Sequence, residues 1–127
     1  MKLREDEKLI FIFNADSGAI NSMKDFFHKM IKPSSYQCNL CAVTFGSFGM
    51  KKEWASYIKD LEEDIGTEFL HKDEFEKYYG QVKDAKYPSA YYKKGDELNL
   101  FVSQEEMNAV ENIDELKKMV NDRLKNL

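Results

Sequence analysis

At 127 residues the chain fits one domain, 1–127, large enough to build its own core without a disulfide or metal staple. Its composition, 43% hydrophobic and 33% charged, is that of a soluble globular protein, and 19 basic against 23 acidic residues leave a net charge of −4, which argues against broad binding to a phosphate backbone. The apolar run from Leu9 to Phe13 is too short to span a bilayer and follows Arg4-Glu5-Asp6-Glu7-Lys8, unlike a secretory signal, so a cytoplasmic protein with no membrane partner is expected.

Leu9 to Phe13, rich in Ile and Phe, suits an inner strand buried on both faces. Asn14-Ala-Asp-Ser-Gly18 breaks the pattern and offers Asp16 or Ser17 as N-cap for a helix with Ile20, Met23, Phe27, Met30 and Ile31 on one stripe, ended by Pro33. Leu40 to Phe45 reads as a second strand. After Gly46-Ser-Phe-Gly49, the residues Met50, Trp54, Ile58, Leu61 and Ile65 mark a second amphipathic helix, with Gly66 as its stop. Thr67 to His71 reads as a short strand and Asp73 to Tyr79 as a brief helix stopped by Gly80. Ser89 to Tyr92 and Leu98 to Val102, joined through Lys93-Lys-Gly-Asp96, form an expected antiparallel hairpin. Ser103 with Glu106 and Asn112 with Glu115 have capping-box spacing; the second pair opens a helix carrying Ile113, Leu116, Val120, Leu124 and Leu127 inward.

The order strand, helix, strand, helix, strand, short helix, hairpin, helix, with Pro88 just ahead of the first hairpin strand, resembles the thioredoxin fold. The resemblance implies a single-domain α/β three-layer fold: a central mixed sheet flanked by helices, a C-terminal β-hairpin plus helix, and a cis Pro88 facing the active site. In that family the cysteine pair opens the helix after the second strand, which here is Gly46-Ser-Phe-Gly-Met50 and holds no cysteine; the pair would instead fall at the start of the second strand. The segments Phe13-Asn-Ala-Asp-Ser-Gly18, Cys38-Asn-Leu-Cys41, Phe48-Gly-Met-Lys-Lys-Glu-Trp54 and Leu70-His-Lys-Asp-Glu-Phe75 also resemble a group of small uncharacterised bacterial proteins, some loosely labelled GTPases. The chain has neither a G-x-x-x-x-G-K-[ST] phosphate loop nor an Asn-Lys-x-Asp stretch to read guanine, so that label implies no activity here.

Cys38-Asn-Leu-Cys41 holds the only two cysteines. Sulfurs this close in sequence can close a reversible disulfide, making Cys38 and Cys41 candidate catalytic or sensing residues toward a protein thiol partner. They can equally supply two thiolates to a metal; with His28 and His71 they would make a tetrahedral zinc set, though nine residues separate His28 from Cys38 and the spacing matches no compact zinc finger. A third reading leaves them as small buried hydrophobes. In a regular strand, residues three apart face opposite ways, so only a turn at 38–40 lets the sulfurs meet.

The loops after the first two expected strands, with Asp16, Ser17 and Gly18 in one and Gly46, Ser47, Phe48 and Gly49 in the other, would share the carboxyl edge of parallel strands beside Pro88 and form a small-ligand crevice. The same residue types also serve caps and turns for their own sake. Lysines and tyrosines interleave from Lys77 to Lys94, as in single-strand binders, yet strand alternation turns about half of the hairpin residues inward, and a nucleic-acid partner is not expected. Trp54 and the helical methionines read as core.

Overall fold

The computed structural model of the chain describes residues 4–14, 38–46 and 49–127. A continuous apolar segment must be buried on both sides, and β1 (Arg4–Phe13) satisfies this at the middle of the sheet: Leu9 to Ile12 have no exposed surface and Phe13 almost none. It pairs in parallel with β4 (Ile65–His71) and antiparallel with β5 (Ser89–Lys94), which pairs antiparallel with β6 (Glu97–Val102), giving the order β4-β1-β5-β6. This is the expected α/β architecture, a mixed central sheet with a C-terminal hairpin followed by helix. Gly95, at φ +59°, turns the hairpin where an L side chain would be strained.

Side chains alternate across β1 and define two layers. Leu9, Phe11 and Phe13 face a large cluster built by α1 (Asn39–Thr44), α2 (Lys52–Leu61), α4 (Gln104–Ala109) and α5 (Ile113–Lys125), while Ile10 and Ile12 face a smaller one with Leu70, Tyr87, Tyr91 and Phe75 of α3 (Lys72–Tyr78). Trp54 is fully buried edge-on to Phe11, with ring centroids 5.8 Å apart, confirming the core reading of this residue.

Two expectations are overturned. Leu40 to Phe45 is not a sheet strand: its first five residues lie in α1, and only Phe45 and Gly46, as β2 (Phe45–Gly46), pair with β3 (Gly49–Met50) in a minimal separate sheet. The buried residues are Leu40, Cys41, Val43 and Thr44, an i, i+1, i+3, i+4 arc, with Ala42 facing out. An apolar Ala42 completed an unbroken hydrophobic run, and β-branched Val43 and Thr44 added strand propensity, so a buried helix read as a buried strand. Likewise α2 ends at Leu61 with Glu62 as its cap, and Ile65 and Gly66 belong to β4, where Gly66 pairs with Lys8. The parallel partner of β1 is therefore β4, while Phe45, outside the central sheet, packs edge-on to Phe13 at the carboxyl end of β1 with ring centroids 5.6 Å apart.

The other expected elements are present: α3, the hairpin, and the C-terminal helix α5 capped by Asn112; the Ser103–Glu106 pair, noted for its spacing, caps an additional short helix, α4. The expected helix over Ile20 to Ile31 lies outside the described residues. No helix among the described residues is long and apolar enough to cross a membrane.

Candidate dithiol site

The chain does turn at Cys38. That residue is the N-cap of α1: its carbonyl accepts from Ala42 N–H at 3.1 Å and its Sγ accepts from Cys41 N–H at 3.3 Å, the place a Ser or Asp oxygen would occupy. The helical turn carries Cys41 back over Cys38, their Cα atoms 5.3 Å apart, and the sulfurs are joined in a disulfide. The pair thus opens a helix, correcting its expected position at the start of a strand. Each cysteine is 2% exposed and belongs to the larger core cluster with Phe13, Leu40 and Val43.

Asn39, between the cap and the first buried leucine, makes the long-range contact. Its side-chain amide donates to the carbonyls of Met107, at 2.8 Å, and Val110, at 2.6 Å. Both carbonyls sit at the C-terminal end of α4, where a helix has no acceptors' partners of its own, so one side chain closes a neighbouring helix's end. Thr44 Oγ donates to Leu40 O at 2.6 Å, settling the one buried hydroxyl of α1 inside its own helix. A cleft of about 350 Å³ lies between α1, the start of α2 and residues 111–114, with Asn39, Ala42, Lys51, Glu53, Asn112 and Asp114 among its walls.

No protein-family model, curated protein or solved structure matches this chain. Its chemistry is therefore read from the site alone.

His71, the last residue of β4, sits beside Phe13 and caps α3; its N–H donates to Glu74 Oε1 at 2.8 Å and its Nδ1 lies 2.5 Å from the same oxygen. Those contacts, led by the backbone N–H, hold the Glu74 carboxyl below its usual range. His71 is engaged by Glu74 and the two sulfurs are bonded to each other, while His28, the remaining residue of the expected zinc set, lies outside the described residues. A cysteine ligates zinc as its thiolate, so metal binding through this pair would require its reduced form.

Pro88 follows a cis peptide bond, and Ser89 pairs with Ile12, which puts the proline beside the carboxyl end of β1. Gln104 Nε2 donates to Tyr87 O at 2.8 Å and ties this bend to α4. Of the crevice candidates, Gly46 and Gly49 belong to the minimal β2–β3 sheet, while Asp16, Ser17, Gly18, Ser47 and Phe48 lie outside the described residues. The tyrosines of the 77–94 stretch are largely spent internally: Tyr87 and Tyr91 pack on Phe75, Tyr79 donates to Glu68 at 2.9 Å, and Tyr92 donates to Glu7. Sequence reasoning passed over Asn39; the available signal was a lone amide inside the apolar stretch Leu40 to Phe45 and its cysteine cap.

Proposed function

We propose that Cys38 and Cys41 form a reversible dithiol–disulfide pair and that the protein senses redox state through it. The observation that carries this reading is the turn at α1, which brings two sulfurs three residues apart into a bond. Each cysteine is 2% exposed, so an attacking thiolate, which must reach a sulfur along the bond axis, requires local opening of α1, and the exchange is slow compared with that of an exposed dithiol. The order β4-β1-β5-β6 with β5 antiparallel to both neighbours, and the cis Pro88 before it, support a thioredoxin-like fold as the scaffold. A cytoplasmic location and kinship with the small bacterial group belong to the same proposal. In a reducing compartment such a bond is transient, formed under oxidant and removed by a protein or small-molecule thiol.

Free-thiol titration against glutathione buffers tests it. Two thiols per chain are expected to disappear together as the buffer becomes oxidising and to return on reduction, while Cys41→Ala forms no internal bond. Two free thiols throughout the series would sink the reading.

A non-enzymatic binding module is the second reading, and the cleft beside α1 is what favours it. Retained ligand in protein purified natively, unaffected by Cys41→Ala, would select it over redox sensing.

A further inference from the structure

We infer that the state of the Cys38–Cys41 bond is relayed to the C-terminal end of α4 and to residues 110–114 through the Asn39 side chain. The inference rests on the proposed dithiol function and names its output. Asn39 is adjacent to the cap sulfur and lies inside the ring that the disulfide closes, so its backbone cannot move independently of the bond. Its amide is committed to two carbonyls, those of Met107 and Val110, some seventy residues away in sequence. The redox centre and α4 are thus separated by one side chain.

Reduction acts on this link directly. A dithiol donor attacks one protein sulfur through its thiolate, the Cys38–Cys41 bond breaks and a mixed disulfide forms; the donor's second thiolate then displaces the protein. The donor leaves as a disulfide, having given two electrons, and two protons end on the two protein sulfurs. Two thiols cannot stay at bonding distance, and their surroundings are close-packed core, so the Cys38 end of α1 has to shift. α1 has six residues, too few to hold its helix without the tether and its packing. A shift at Cys38 carries Asn39 with it and leaves the Met107 and Val110 carbonyls without their donor, half-buried at a helix end. The cleft changes with it, since α1 forms one wall and residues 111–114 the other.

Hydrogen exchange followed by mass spectrometry, with a free-thiol count on the same samples, tests the relay before and after dithiothreitol. The expected result is exchange at least about tenfold faster over residues 104–114 on reduction, with the hairpin 89–102 within about twofold as the control against global loosening. Asn39→Asp, which keeps the shape and removes both donors, is expected to give fast exchange over 104–114 in either state and no further response to reductant. Unchanged exchange in wild-type samples whose thiols are counted as reduced overturns the relay, as does a full redox response in Asn39→Asp. The wild-type comparison stands even if the variant does not fold. Absence of any disulfide in the thiol count is the distinct failure of the dithiol reading itself, and the relay falls with it.

Discussion

α1 and α4 are both six residues long and pack against each other, yet they are held by opposite means. α4 begins with a reciprocal capping box, Ser103 Oγ accepting from Glu106 N–H at 3.1 Å and Glu106 Oε1 from Ser103 N–H at 3.0 Å, and Arg123 of α5 clamps the same carboxylate. α1 has no acidic residue in its first turn and no basic one in its last; its cap is a sulfur and its tether a covalent bond. A helix this short is marginal alone, so what secures its first turn decides which conditions release it. The α4 cap is sensitive to protons. On the proposed dithiol reading, the α1 cap is sensitive to electrons.

Core packing is the part the two helices share, and removing it should have the largest effect. Leu40 and Met107 are each 1% exposed. Leu40→Ala and Met107→Ala are each expected to cost about 3 kcal/mol in urea unfolding, the usual range for such truncations being about 2–5 kcal/mol. If Leu40→Ala cost less than about 1 kcal/mol while Met107→Ala kept its full effect, α1 would be a detachable cover and the comparison would fail at its base.

The tethers come next in size. Closing the four-residue loop from Cys38 to Cys41 restricts the unfolded chain, and on the loop-entropy relation its loss costs about 2 kcal/mol, whereas loss of a single side-chain cap, Ser103→Ala, costs about 1 kcal/mol. Reductant should therefore lower the unfolding midpoint of wild-type protein and of Ser103→Ala, but leave Cys41→Ala unmoved. A Cys41→Ala protein still sensitive to reductant would show that the effect does not come from this bond.

The same contrast explains which helix could be read from the sequence. Ser103 and Glu106 announce α4 because a capping box is local, four residues carrying their own chemistry. The hairpin and α5 were legible for the same reason: Gly95 in the turn, Asn112 accepting from Glu115 N–H at 2.9 Å, and apolar residues at helical spacing. The inner position of β1 followed from five successive apolar residues. α1 has no such local signature; its helix is selected by burial of four of its six residues, by a disulfide, and by carbonyl partners near residue 110 that no window around Cys38 contains. The shifted boundary of α2 has a similar origin, because Ile65 continues the helical stripe in sequence but is claimed by sheet pairing next to β1. Of the candidate site, the sulfurs were evident and the requirement for a turn was deducible. Asn39, which links the pair to the rest of the molecule, became visible only once α1 and α4 were side by side.

The smallest expected effect is also the one that isolates α4. Hydrogen bonds from Arg123, followed by that from the Ser103 N–H, hold the Glu106 carboxyl at about 2, against an ordinary value of 4.5. Because the folded value is depressed, the folded state favours the charged carboxylate: its contribution is fully present above about pH 4.5 and is lost as the pH falls through about 2. Glu106 is 38% exposed, so solvent screening limits that contribution to about 1 kcal/mol. Acid titration of stability should then show a shallow loss between about pH 4.5 and 2 that is reduced in Glu106→Gln. Glu74 at the start of α3 is shifted the same way and supplies a remaining acid-sensitive component. Cys41→Ala should keep the whole wild-type acid loss, since neither Cys38 nor Cys41 contributes a carboxylate to the cap of α1. An acid profile flattened by Cys41→Ala and untouched by Glu106→Gln would reverse the assignment of which helix answers to protons and which to electrons.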